Sequence, residues 1–257
     1  MNYLDTAITA AREAGKIHQQ YFTSDFKVKT KANSFDLVTE ADVKAERKIV
    51  EIIKQSFPEH NFLGEEENYE KTDSPYTWII DPLDGTNNFA SGLPIFCSSV
   101  ALAKDSELIA GAIYDASRDE LFFAEKGKGA FLNGKKIRVT EHDCLEKSIL
   151  ITGFYYDRGR QMLDTLDNIR KFLQAPILGL RRLGSAALDL CYIASGRASG
   201  FWEFELNPWD FSAGKIIVEE AGGTFSGRFG EPVDIFKKGY IVASNTRIHP
   251  LMLKVLD

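Results

Sequence analysis

Apolar residues along this chain follow two different periods, and the change from one to the other marks its elements. Leu4, Ala7, Ile8, Ala11, Ala14, His18, Tyr21 and Phe22 recur at steps of three and four, which places them on one face of an α-helix. A second helix is expected over 40–56. Between the two, 27–36 is polar and basic, the composition of a hairpin or a mobile loop. Trp78-Ile79-Ile80 is a short apolar run ending at Asp81-Pro82, and Asp84-Gly85-Thr86 follows with turn and helix-start residues. That pattern predicts a strand feeding a loop.

From 97 to 139 the pattern changes to short apolar segments, 100–103, 109–114 and 121–124, separated by charged turns. An antiparallel meander is expected. The second half alternates, with a strand over 148–152, helices over 160–173 and 185–194, a strand over 200–204 and a helix over 210–221. Strands mixed with helices that cover their faces predict an α/β or α+β layered sandwich. With no repeat, low-complexity tract or Pro/Ser-rich linker, residues 1–257 are expected to form one unit, any subdivision being two packed halves near 1–145 and 146–257.

Composition narrows the partners. The chain has 257 residues, 44% of them hydrophobic, and a formal charge of −6. Its basic runs are short: Lys135-Lys136, Arg181-Arg182 and Lys237-Lys238. Direct nucleic-acid binding is not expected, because neutralising a phosphate backbone calls for clustered cations. No run reaches the roughly 18 apolar residues of a membrane span, and Asp5 stands where a signal peptide would be basic and then apolar. A cytoplasmic location is the expectation. Cys97, Cys144 and Cys191 are odd in number and far apart, so they read as reduced and structural. His18, His60, His142 and His249 lie outside every motif and read as ordinary helix or surface residues, which leaves a Ser-His-Asp hydrolase without support.

Acidic residues carry the chemistry. Gly64-Glu65-Glu66-Glu67 taken alone is a surface acid cluster. Asp81-Pro82-Leu83-Asp84-Gly85-Thr86 is different: it sets two carboxylates three residues apart around a proline-stiffened turn after an apolar strand. Hard divalent cations such as Mg²⁺ take oxygen ligands in near-octahedral geometry, and such a turn can offer two carboxylates and a carbonyl to one place. The helix start behind them offers N–H groups to a phosphate. Asp210, in Trp209-Asp210-Phe211, opens a largely apolar helix and reads equally as a cap or as a ligand on a rigid element.

Gly64-Glu65-Glu66, the run Trp78-Ile79-Ile80-Asp81-Pro82-Leu83-Asp84-Gly85-Thr86-Asn87-Asn88-Phe89, and Trp209-Asp210 through Ala221-Gly222-Gly223 together resemble the signatures of the inositol monophosphatase family, in order and in rough spacing. The likeness extends over nearly the whole chain. It implies a layered αβαβα sandwich, usually dimeric, that hydrolyses small phosphate monoesters with two to three Mg²⁺ ions and is inhibited by lithium. By the same resemblance Glu65, Asp81 and the Leu83 carbonyl would hold a first ion, and Asp81, Asp84 and Asp210 a second. Glu65, with Glu66 as an auxiliary, would meet a third. Gly85 and Thr86 would bind phosphate, Thr86 and Asp42 would orient the attacking water, and Lys31 would belong to a mobile lid. Gly184, Ser185, Ala186 and Glu203 match positions that meet the substrate's hydroxyls. The stretch Glu205-Leu206-Asn207-Pro208 departs from the inositol-specialised animal enzymes, which leaves inositol phosphates, sugar phosphates, 3′-phosphoadenosine phosphate and the 2′-phosphate of NADP open as substrates.

Other motif readings fit the residues less well. The aspartyl-phosphate motif of haloacid-dehalogenase-like phosphatases has one residue between its aspartates, where this chain has two. Residues 129–135 imitate a P-loop, but Lys136 takes the Ser/Thr position and Asn133-Gly134 is a hairpin-turn pair. Phe22 with Phe26, and Phe201-Trp202 with Phe204, read as core and not as a binding platform. Some bacterial relatives are thought to bind the transcription machinery, so a regulatory protein partner is the expectation from a different class; a member that had given up catalysis should have lost a ligand, and none is missing.

Overall fold

The computed structural model describes residues 2–22, 28–30, 37–154 and 159–257. The helical period at the start becomes α1 (Tyr3–Phe22), and α2 spans Glu40–Ser56. Between them β1 (Val28–Thr30) and β2 (Leu37–Thr39) pair antiparallel. Lys31, expected in a lid, lies outside the described residues.

Seven strands make the first sheet, in chain order: β3 (Asn61–Gly64), β4 (Tyr76–Asp84), β5 (Cys97–Lys104), β6 (Glu107–Asp115), β7 (Glu120–Glu125), β8 (Gly129–Leu132) and β9 (Lys135–Lys136). The expected meander is its larger part. β3 and β4 run parallel, and every other neighbouring pair is antiparallel. Asn133 and Gly134, with φ of 48° and 78°, close the β8–β9 hairpin, so this segment is a primed turn and not a phosphate loop. The short α3 (Thr86–Ala90) leads from β4 toward β5.

The rest of the chain supplies β10 (Ile149–Thr152), α4 (Arg160–Gln174), β11 (Gly179–Arg181), α5 (Ala186–Ala194), β12 (Gly200–Leu206), α6 (Pro208–Glu220), β13 (Gly223–Ser226), β14 (Gly239–Asn245) and α7 (His249–Leu256). Five of these strands form the second sheet, ordered β11-β10-β12-β14-β13. The apolar pattern predicts neither β11, β13, β14 nor α7. All four are short, three to eight residues, too short for a period to show.

Period-two alternation along the strands decides the layering. Trp78, Ile80, Val100 and Leu102 pack against Ala7, Ala11, Ile49 and Ile53 of α1 and α2. Their neighbours Ile79, Ala101 and Ala103 turn the other way, into a core with α5 and α6. Phe201, Ile241 and Ala243 of the second sheet enter that same core, while Trp202 and Val242 face Phe172 of α4 and Met252 of α7. The order α1/α2, sheet, α5/α6, sheet, α4/α7 is an αβαβα sandwich. Among the described residues no helix is long and apolar enough to cross a membrane.

Gly111 lets α6 close on β6. A Cβ there would stand 2.7 Å from Ile216 Cγ2 and 3.2 Å from main-chain atoms of Ala213. Gly111→Ala should therefore push α6 off the sheet and cost about 1–3 kcal/mol, read as a lowered urea midpoint. An unchanged midpoint would contradict this seating of α6.

Candidate active site

The site begins with a slip in strand pairing. Between Asp81 and Asp84, β4 advances three residues while its partner β5 moves two, from Ser99 to Cys97. One extra residue is taken up as a β-bulge. Residues three apart in a regular strand point to opposite faces; here the extra residue returns the second carboxylate, and both Asp81 and Asp84 line one cleft. Pro82 is tolerated within the strand because a bulge does not need its missing N–H. β4 therefore runs on to Asp84, past the Asp81-Pro82 end that the apolar pattern predicts.

The cleft, of about 380 Å³, collects most of the residues singled out by sequence: Glu65, Asp81, Leu83, Asp84, Gly85, Thr86, Gly184, Ala186, Glu203 and Asp210 all line it. Asp81 Oδ1 accepts the Leu83 amide at 3.0 Å. Asp84 Oδ2 accepts the Ser185 hydroxyl at 2.5 Å and the Ala187 amide at 2.8 Å. Asp210 is at the third position of α6 and accepts the Asn207 amide at 2.6 Å. It is thus both a cap and a cleft residue, the two readings that sequence left side by side. The helix starts two residues before Asp210, since Pro208 suits a first helical position.

Three expected residues do not line the cleft. Asp42, buried on α2, reaches it through Thr86, whose hydroxyl lies 3.0 Å from Asp42 Oδ1 and 2.9 Å from the Leu83 carbonyl. Ser185 is expected to meet substrate but is only 1% exposed, with its hydroxyl directed to Asp84 as it caps α5. The Glu66 amide donates to Glu46 Oε2 at 2.9 Å.

Burial sets the electrostatics. It pushes Asp81 well above the ordinary carboxylate range, with Glu65, Asp84 and Asp210 adding repulsion. Asp210 is raised in the same way by burial, then by Glu65 and Asp84. Asp84 is pushed up to about 6 by burial, against the lowering effect of the Ser185 and Ala187 hydrogen bonds. Glu203 is pushed up to about 8 by burial, against the nearby Arg182. A set of hard oxygen donors whose negative charges oppose one another fits a divalent cation such as Mg²⁺, which would relieve that cost. Among the described residues no three His, Cys, Asp or Glu side chains converge closely enough to hold an ion as they stand; Asp84 and Asp210 each have one oxygen engaged by Ser185 and Asn207.

Sequence reasoning missed several neighbours. Arg182 and Lys238 line the cleft, whereas each reads by sequence only as half of a basic pair. Arg182 stands two residues before Gly184-Ser185, a signal that was legible. His18 is not an ordinary helix residue: it is fully buried, with Nε2 2.8 Å from the Pro82 carbonyl and its ring edge-on to Phe89 and Phe96. Burial lowers its pKa to about 4, so it is neutral and donates to that carbonyl. Asn88 donates to the carbonyls of Ile95 and Leu183 at 2.8 and 2.9 Å, tying α3 to the segment before α5.

A sequence model of the inositol monophosphatase family matches residues 2–257. Inositol-1-monophosphatase of Synechocystis is 42% identical, over 99% of this chain and 88% of its own length. Nus factor SuhB of Escherichia coli K12 is 42% identical, over 97% of this chain and 94% of its own. Among solved structures, SuhB of Bartonella henselae superposes with a TM-score of 0.92 at 38% identity, covering 98% of this chain and 97% of that one. An IMPase/NADP phosphatase complexed with Mg²⁺ and phosphate superposes with a TM-score of 0.84 at 26% identity, covering 96% and 91%. Fold and relatives define a phosphoric monoester hydrolase. The chain belongs to the inositol monophosphatase family.

The raised value at Asp84 gives a pH-dependent prediction for protein kept in EDTA. A carboxyl whose folded pKa is raised favours the fold below its unfolded pKa, and that contribution is lost as pH rises through about 6. Asp84→Asn should therefore raise the melting temperature at pH 8, by the equivalent of about 1–3 kcal/mol, and the gain should vanish toward pH 4. A gain independent of pH would contradict charge burial as its cause, and gross unfolding of the variant would mean that Asp84 is held as a structural ion.

Proposed function

We propose that this chain hydrolyses a small phosphate monoester, an inositol monophosphate or a related sugar or nucleotide phosphate, to an alcohol and inorganic phosphate with Mg²⁺ and a water nucleophile. The observation that carries the reading is the bulge that sets Asp81 and Asp84 on one cleft wall with Asp210 and Glu65. Glu65, Asp81, the Leu83 carbonyl, Asp84 and Asp210 would hold two to three ions, with Glu66 auxiliary. When bound, such ions stabilise charge on the phosphoryl and leaving oxygens and lower the pKa of the attacking water.

The chain's own groups do the rest. The Thr86 hydroxyl, with its proton directed to buried Asp42, presents a lone pair toward the cleft and orients a water there. The amides of Gly85 and Thr86 bind the phosphate. Gly85 is required for that approach, since its φ is 91° and a Cβ would meet the Ile95 carbonyl at 2.7 Å. Gly184 and Ala186 shape the wall facing the leaving alcohol. Glu203 contacts its hydroxyls, and Arg182 adds positive charge beside the departing group. Ser185 keeps Asp84 in orientation. A homodimer belongs to the same reading. Leu163, Leu166 and Leu173 of α4, 61%, 46% and 60% exposed, with Leu178 at 67%, form the apolar face that a second copy would cover. The 42% identity to a Nus factor supports a regulatory protein partner as a second role.

Phosphate release should be measured on inositol 1-phosphate, a sugar phosphate, 3′-phosphoadenosine phosphate and NADP. Release is expected from at least one with Mg²⁺, abolished by EDTA, restored by added Mg²⁺ and inhibited by lithium. Full turnover in EDTA would contradict the proposal.

A further inference from the structure

Glu46 is a fully buried carboxylate one helical turn beyond Asp42 on α2. None of the roles above uses it. Its Oε2 accepts the Glu66 amide at 2.9 Å, and its Oε1 accepts the Glu67 amide at 2.8 Å and the Tyr69 hydroxyl at 2.9 Å. Residue 64 must be small for this to hold, because a Cβ on Gly64 would fall 2.4 Å from Glu46 Oε1. The carboxylate thus fills the space over Gly64 and fastens the backbone on the far side of Glu65.

We infer that Glu46 is the positioning residue for Glu65: it pins the 64–67 turn so that Glu65 is held at the cleft wall, from which it would reach a divalent cation. The inference rests on Glu65 as a ligand. Two charge-assisted amide bonds fix the turn's backbone far more tightly than an exposed contact could. The neighbouring pair Arg47–Glu67, 2.7 Å apart with Arg47 68% exposed, contributes little beside it. Residues four apart lie on one face of a helix, so α2 holds both the Asp42–Thr86 hydrogen bond and the Glu65 turn. A shift of this helix would move the water-orienting pair and an ion ligand together.

The decisive comparison is Mg²⁺ binding by isothermal titration to purified, EDTA-stripped protein, with melting curves in EDTA alongside. Glu46→Gln keeps the shape but faces one backbone N–H with an amide NH₂, which removes a hydrogen bond and leaves that donor buried. Gly64→Ala should dislodge the same carboxylate from the other side. Each should weaken Mg²⁺ affinity about tenfold or more, the scale of losing support behind a ligand. The double variant should lose little beyond either single one, since both break one contact. At saturating Mg²⁺, kcat should recover most of its value. Unchanged Mg²⁺ affinity in Glu46→Gln, even with a lower melting temperature in EDTA, would overturn the inference and leave Glu46 a stabilising residue only. If Glu46→Gln fails to fold, Gly64→Ala decides, since it displaces the carboxylate from both amides: an affinity equal to the parent's would overturn the inference. Glu65→Gln separates the two readings. If it binds Mg²⁺ as the parent does, the ligand role of Glu65 fails; if it binds weakly while Glu46→Gln does not, only the positioning role fails.

Discussion

Carboxylates crowded out of water around one cleft are the constraint to which the surrounding structure answers. Asp81 and Asp210 are raised first by burial and then by each other's neighbours, Glu65 and Asp84 among them. Left to itself such a group of side chains would turn toward solvent or take up protons. Each is restrained by a separate device: the bulge in β4 for Asp81 and Asp84, the α5 cap for Asp84, the α6 first turn for Asp210, and Glu46 for the turn carrying Glu65. Concentrated charge of this kind is stored cost that a bound cation releases, so ion binding and local stability are two sides of one balance.

These devices come from distant parts of the chain, so one cleft draws on several layers of the sandwich. Ser185 reaches Asp84 across 101 positions of sequence and Asn88 reaches Leu183 across 95. The close seating of α6 on β6 at Gly111 brings Asp210 to the first sheet. Neutral His18, buried behind Pro82, holds the bulge from the α1 side. Ordinary packing and ordinary caps set the geometry, and the chemistry sits where they meet.

Much of this was legible in the amino-acid sequence, for identifiable reasons. α1 and α2 are long enough to display a 3.6-residue period, and the meander has enough strands to display its alternation. The acidic motifs are contiguous, so Asp81, Asp84 and Asp210 stand out before any pairing is known. What depends on partners far along the chain did not show. The bulge is a property of register between two strands. Ser185, placed by motif against substrate, gives its hydroxyl to Asp84; His18 and Glu46, unremarkable on helical faces, gain their places from what packs over them; Lys238 enters the cleft from a loop that ends near it.

The route of phosphoryl transfer tests the account most directly. Carboxylates gathered for cations leave water to attack phosphorus, whereas an aspartyl nucleophile at Asp81 would pass through an acyl phosphate. The configuration at phosphorus, read with a phosphorothioate monoester made chiral by oxygen isotopes, distinguishes the two, because one in-line displacement inverts phosphorus and two restore it. Inversion is the predicted result. Retention, with a phosphoryl group trapped on Asp81 by hydroxylamine, would contradict it.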